Sequence, residues 1–412
     1  MAEPGLMAHR HRPLSGRDPN EAHRAATPLE LLYDLTFVVA FGTAASQLAH
    51  YLAEGHVGPA IAGFCLAVFT AAWAWLNYSW FASAYDNDDW VFRLATLAQM
   101  VGVIINALGL EEMFTSIDHG ESPDLRVMVL GYVVMRLSTL FLWVLVARHD
   151  PARAPAARTY IWTIGVAQAG WVAIALLGLS VSMVLLAGGV LFALELLGPA
   201  LAQRRSPTPW HARHIAERHG LLVIITLGEG VVGTVAALNA LVHTEHGWTF
   251  DAALLAVAGI GLTFGLWWMY FLVPWGEVLE QHRERAYLWS AGHILLFGAI
   301  AATGAGLHVA AYFLEDVAAL SATATVLTVA VPVAVFVLAL YGIGSAFLGQ
   351  RDPFHLLLLV GTAGVLGLAV VCAELGVSIS WCLVVVMLAP AVSVLGYETV
   401  GHRHLAEAIR QN

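Results

Sequence analysis

The chain has 412 residues, 59% of them hydrophobic and 12% charged, with a mean hydropathy of +0.74 and a net charge of −10. A soluble domain is roughly 45–50% apolar and about 25% charged, so the composition excludes a soluble globular protein and points to a polytopic membrane protein. The charges sit in short loops, with opposite signs on opposite sides, which excludes a nucleic-acid-binding surface.

Residues 1–26 lack an apolar core, so they read as a short cytosolic tail and not as a cleaved leader. Twelve apolar segments of spanning length follow, at 28–51, 58–83, 90–111, 126–147, 159–178, 181–202, 213–240, 250–275, 286–311, 318–346, 354–374 and 378–400. Only a tight "GLSVS" turn separates the fifth from the sixth. Every basic residue other than histidine is Arg, and seventeen of the nineteen fall in alternate connections or the two tails. They are Arg10, Arg12, Arg17 and Arg24, Arg93, Arg148, Arg153 and Arg158, Arg204, Arg205, Arg213 and Arg218, Arg283 and Arg285, Arg351, and Arg403 and Arg410. The intervening loops are acidic, with Glu111, Glu112, Asp118, Glu121 and Asp124 after the third segment and Glu315 and Asp316 after the ninth. The positive-inside rule then puts both termini in the cytosol.

Two halves echo each other. "FTAAWAWLNYSWFAS" in the second segment is similar to "GLTFGLWWMYFLVPW" in the eighth, and each half begins on Thr-Pro, in "TPLE" and "TPWH". The sequence therefore reads as all-α: a tail at 1–26, six helices at 27–202, six more at 203–400 and a tail at 401–412. An even number of spans per half makes these parallel repeats about an axis along the membrane normal.

Polar groups inside the apolar segments are the candidates for function, because burying them costs free energy unless they are paired or used. In "TPLE", Thr27 at the N-cap, Pro28 at the first helical position and Glu30 three residues after the cap form a capping box. Asp34 lies one turn further in and needs a partner, water or a proton; an ion pair and a functional cavity both satisfy it. Arg136 in "GYVVMRLSTLFLW" and Glu229 in "VIITLGEGVVGTVAAL" sit at similar depth, which makes them a candidate ion pair joining the halves. Gly228, Gly230 and Gly233 beside Glu229 allow either close helix packing or a locally unwound helix. Glu195, His293 and Asn77 fall in the cytosolic half of their segments, and Gln99, Asn106 and Gln168 add further interior polarity. Several ionisable groups in one bundle imply a polar interior that opens toward the cytosol.

"WHARHIAERHG" gathers His211, His214 and His219 near Glu217, but their spacing matches no metal template and reads as an amphipathic, headgroup-facing turn. Cys65, Cys372 and Cys382 read as small buried hydrophobes. Trp73, Trp75, Trp80, Trp267, Trp268 and Trp275 read as interfacial or packing residues. No P-loop, Gly-x-Ser-x-Gly, His-Glu-x-x-His or dinucleotide fingerprint is present, so the sequence asks for no cofactor and no metal and offers no catalytic motif.

Several stretches resemble the bacterial low temperature requirement protein A family. They are "TPLELLYDLTFVVAFGTAASQLA", the Trp80–Arg93 stretch ending "DDWVFR", "ERHGLLVIITLGEGVVG" at 217–233, "WWMYF" at 267–271 and "GHILLFGAIAATGAGLH". The family's openings look like "PLELFFDLVFVFA" and "ERHGLFTIIVLGES"; here Tyr33 and Thr36 differ, and Gly230 stands where the family has Ser. The resemblance covers nearly the whole chain. It implies a multi-pass protein of the bacterial inner membrane, named for growth in the cold, and carries over Glu30, Asp34, Glu217, Arg218, His219 and Glu229 as motif positions. It implies no particular activity.

The leading expectation is a secondary transporter or permease for a small solute or proton, embedded in the lipid bilayer. Its polar site would draw on Asp34, Arg136, Glu229, Glu195, His293 and Asn77. A non-transporting sensor or scaffold, whose buried charges only specify packing, is the first alternative. A membrane-embedded enzyme acting on lipid is the second.

Overall fold

A computed structural model describes residues 12–22, 24–242, 248–348 and 353–402. The described residues are helical, with no strand, and twelve helices or helix pairs are long and apolar enough to cross a membrane. In chain order they are α1 (Pro28–Ala53), α2 (Val57–Tyr85), α3 with α4 (Trp90–Leu108 and Leu110–Asp118), α5 (Arg126–His149), α6 (Ala154–Leu176) and α7 (Val181–Arg205). Then follow α8 (Ala212–Val242), α9 with α10 (Phe250–Phe271 and Trp275–Gln281), α11 (Ala286–Leu314), α12 (Ala322–Leu348), α13 (Pro353–Glu374) and α14 (Ile379–Gly396).

All twelve sequence segments appear, and the shifts at their ends have local causes. The third runs on to Asp118 as α4, which buries Leu110, Met113, Phe114 and Ile117 and exposes Glu111 and Glu112. The fifth begins at Ala154, because Pro155 suits the first turn of a helix. The eighth is interrupted at Pro274, which cannot continue α9. The tenth begins at Ala322, after Ser321 accepts the Ala324 N–H at 3.2 Å. The tight turn between the fifth and sixth forms: Gly178 takes φ +59°, a conformation that favours glycine.

The chain forms two compact units, one of residues 1–40 and 69–218, the other of 41–68 and 219–412. Helices α1, α2 and α8 contribute residues to both, so the units do not divide the chain at 202/203. In the first unit α3 and α5 meet backbone to backbone. A Cβ on Gly131 would lie 2.1 Å from the Asn106 nitrogen, and one on Gly102 would lie 2.8 Å from the Gly131 oxygen. In the second unit α8 and α11 do the same, with a Cβ on Gly233 falling 2.5 Å from the Gly304 oxygen. Small residues are what allow this approach between membrane helices.

Residues 12–22 and 24–26 do not behave as a free tail. Leu14 is buried, its N–H donates to His149 Nδ1 at 3.2 Å, and Arg17 Nη1 donates to the Asp86 carbonyl at 3.0 Å. The Arg12 N–H donates to Asp89 Oδ2 at 3.1 Å. The segment is a strap over the α2–α3 turn, satisfying polar groups that a free tail would leave to water. Arg10, Arg351, Arg403, Arg410 and the tail from 403 lie outside the described residues.

Candidate functional site

The capping box forms at the start of α1. Glu30 Oε2 accepts the Thr27 N–H at 2.7 Å, and Thr27 Oγ1 accepts the Glu30 N–H at 3.3 Å. Capping is only part of what Glu30 does. It is fully buried, and two guanidiniums and an imidazole converge on it: Arg218 Nη1 at 3.0 Å and His214 Nε2 at 3.1 Å, with Arg24 Nη2 at 3.3 Å.

Asp34, also fully buried, accepts from Arg218 Nε at 3.0 Å, from Arg218 Nη2, and from the Trp75 indole N–H at 2.6 Å. Arg24 links the group to Asp86, Nη2 to Oδ2, at 3.5 Å. Above the Arg218 guanidinium lie the rings of Trp75 and Tyr78, each centroid 5.7 Å away. This cluster holds three carboxylates, Glu30, Asp34 and Asp86, against two guanidiniums and one imidazole. Of the two readings of Asp34, the geometry selects the ion pair.

Arg218 and His214 correct the sequence reading. Arg218 was counted among the loop arginines and the histidine segment was read as headgroup-facing. Instead the first two turns of α8 are packed inside the protein, and both side chains are fully buried. The three histidines part company: His211 Nε2 meets the Glu21 carbonyl at 2.9 Å, His214 meets Glu30, and His219 Nε2 meets Ser290 Oγ at 2.8 Å. The signal was present in the spacing. Glu30 and Asp34 are four apart on one helix, His214 and Arg218 four apart on another, and such pairs share a face. Glu217 is exposed and accepts the Ala26 N–H at 3.3 Å.

Asp86 lies outside the spans, in the α2–α3 turn. Burial foremost, then the Glu30 charge, push its pKa up to about 6, against the Asp88 N–H and Arg24, which favour the carboxylate. In the unfolded chain it titrates near 3.9. Between those values the folded protein holds a proton that the unfolded chain has lost, so stability falls as pH rises and levels off above about 6, a loss of about 3 kcal/mol. Asp86→Asn keeps an acceptor for Asp88 and is expected to match the wild type near pH 4 and to exceed it at pH 7. Thermal unfolding at both pH values checks this; parallel pH curves would refute it.

Arg136 does not pair with Glu229. Its carboxylate partner is Glu195, Nη2 to Oε2, at 3.7 Å. Glu195 also accepts from the Tyr132 hydroxyl, and from Gln168 Nε2 at 3.0 Å. Equal depth along two helices was not enough to predict the pair, because depth leaves rotation about each helix axis undetermined.

Glu229 belongs to the second unit. It is buried, and among the described residues no hydrogen bond or ion pair reaches its carboxylate. A Cβ on Gly42 would lie 3.0 Å from Glu229 Oε1, and one on Gly304 would lie 2.7 Å from the Glu229 backbone. Around it α8 is continuous from Ala212 to Val242, so its glycines do not unwind it, and Gly230 and Gly233 serve close packing.

His293 is fully provided for. Its Nδ1 lies 2.8 Å from the Trp289 carbonyl, which can only accept, so Nδ1 carries the proton and Nε2 is left to accept from the Tyr270 hydroxyl at 3.0 Å. Asn77 Nδ2 bonds back to the Trp73 carbonyl of its own helix at 2.8 Å. Trp73 and Trp75 are fully buried and not interfacial.

Twelve apolar helices enclosing charged clusters define a polytopic α-helical membrane protein. The family model for the bacterial low temperature requirement A protein (LtrA) matches residues 25–390, and the chain belongs to that family. It is similar to a Rhizobium meliloti (strain 1021) protein described as "Uncharacterized protein RA0937", 24% identical over 319 residues that cover 73% of each chain. No solved structure matches it.

Proposed function

We propose that the protein is a secondary transporter or permease for a small solute or ion, with Glu229 as the group that takes up a proton or cation. The observation that carries this reading is the buried, unpartnered carboxylate of Glu229. An acid within a membrane span costs roughly 2.5–3.5 kcal/mol on insertion scales, so one kept without a structural partner has another use. The head group faces Gly42, where a Cβ would lie 3.0 Å from Oε1. The arginine distribution supports placement in the cytoplasmic membrane with both ends cytosolic. The echo between the halves supports two parallel six-helix repeats.

The test is proton flux into proteoliposomes under an imposed potential. The medium holds chloride, nitrate, short carboxylates and amino acids. Wild-type protein is expected to carry protons, and Glu229→Gln to fall to the protein-free rate while still purifying as a folded species. Equal rates in the two proteins, or none in the wild type, would sink the reading.

A second reading rests on a separate observation. The Arg24–Glu30–Asp34–Asp86–His214–Arg218 cluster is closed and paired, as a scaffold or sensor whose charges only specify packing would require. Loss of stability on breaking the cluster, with no flux in any variant, would favour it.

A further inference from the structure

The first unit contains an imbalance of a different kind, around Arg136. This side chain is buried in the middle of α5 at 2% exposure, yet only Nη2 is paired, and Nε and Nη1 have no acceptor among the described residues. The carboxylate opposite is well satisfied by Tyr132 and Gln168, so the shortfall is on the cation alone. Nearby groups repeat the pattern. Gln99 Oε1 accepts from Tyr33 and from Thr139, which is one turn along from Arg136, both at 3.3 Å; Gln99 Nε2 is buried without an acceptor. The indole N–H groups of Trp73 and Trp171 are turned to the Glu195 carboxylate, so they add to its donors and not to those left over. A buried donor without a partner costs about 1–3 kcal/mol, and more when charged. What Arg136 Nε and Nη1 and Gln99 Nε2 lack is an acceptor, and for the guanidinium preferably a negative one.

Charge restricts how that acceptor enters. Arg136 and Glu195 are neutral as a pair. An added anion on Arg136 would strand the Glu195 charge in a low-dielectric interior, which costs several kcal/mol. A proton on Glu195 removes the problem, since the carboxylic acid still accepts from Tyr132 and Gln168. Among the described groups, Arg136 is the charged side chain beside Glu195 and Tyr132 the other titratable one.

We propose that Arg136 binds a small monovalent anion, and that one proton enters with it onto Glu195. Empty, the site is guanidinium and carboxylate. Loaded, it is guanidinium and anion beside a neutral carboxylic acid, so the net charge is the same in both states. The proposal deepens the permease reading by naming a substrate class, and rests on that reading only for the claim that the anion crosses the membrane.

Calorimetry on the purified full chain in detergent, with chloride, nitrate and propionate as probes, tests it. In buffers of different ionisation enthalpy, at least one probe is expected to bind with one proton taken up per anion. Its affinity should rise tenfold for each pH unit lowered while Glu195 is ionised. Glu195→Gln is expected to bind the same anion with no proton uptake and no pH dependence, and Arg136→Gln to lose binding. Should either variant fail to fold, the wild-type proton stoichiometry still decides. The proposal is overturned if none of the three probes binds between pH 5 and 8. It is overturned equally if binding takes up no proton or survives in Arg136→Gln. No anion binding in a protein that retains Glu229-dependent flux would remove the anion site and leave the permease reading. Proton-linked binding without flux would do the reverse.

Discussion

Arg218→Gln is expected to cost the protein about 3–5 kcal/mol, enough to prevent its accumulation in the membrane or to lower its unfolding temperature sharply in detergent. The substitution strips Asp34 of its bidentate partner and Glu30 of its closest guanidinium, at a place where both acids are fully buried. What is lost is not the net worth of the ion pair, which desolvation largely cancels, but the compensation of two charges that water cannot reach. Two comparisons separate this from a packing effect. Asp34→Asn leaves Arg218 paired with Glu30 at 3.0 Å, so its cost should be smaller, about 1–3 kcal/mol. Glu30→Gln, Asp34→Asn and Arg218→Met combined remove charge of both signs and should recover most of the stability. An Arg218→Gln protein that unfolds like the wild type would mean that the cluster is hydrated.

Gly131→Ala is expected to be nearly as damaging, by about 3 kcal/mol or more, although it adds a single methyl group. The new carbon would sit 2.1 Å from the Asn106 nitrogen, 2.5 Å from the Gly102 oxygen and 2.6 Å from the Asn106 Cα. All three atoms are backbone, so no side chain can turn aside, and α3 and α5 would have to separate. That movement would disturb Gln99 on α3 and Arg136 on α5. Gly228→Ala is the control. It lies in helix with nothing within 4 Å of its added carbon, and should gain about 0.5–1 kcal/mol from helix propensity. Thermal unfolding of the two variants side by side checks the contrast; similar behaviour would mean that the helices are not in backbone contact.

Part of the candidate site follows from local sequence alone. Glu30 was readable as a cap because capping is local, set within four residues by Thr27 and Pro28. That Glu30 also anchors two guanidiniums and an imidazole was not, since Arg24, His214 and Arg218 reach it from outside its own helix. Asp34 was recognisable as a group in need of a partner because the cost of burying a carboxylate follows from its position in an apolar segment. The identity of the partner was not, and Arg218 passes for a loop arginine because an arginine near the start of a span looks the same whether that turn lies at the surface or is packed inside. Glu229 drew attention for the same reason as Asp34. It differs in finding no partner, which no sequence pattern distinguishes.

Composition and local pattern were enough for the class of protein, the twelve apolar helices and most of their limits. Spanning segments are selected by transfer free energy summed over neighbouring residues, and caps, prolines and left-handed glycines act over one turn. Only the tertiary structure decided which charges meet. It replaced Arg136–Glu229 with Arg136–Glu195, assembled the Arg218 cluster, and left Glu229 and part of Arg136 unmatched. Pairing depends on the rotation of each helix about its axis and on approach distances set by single glycines such as Gly131 and Gly304. Those are fixed by contacts between residues far apart in the chain.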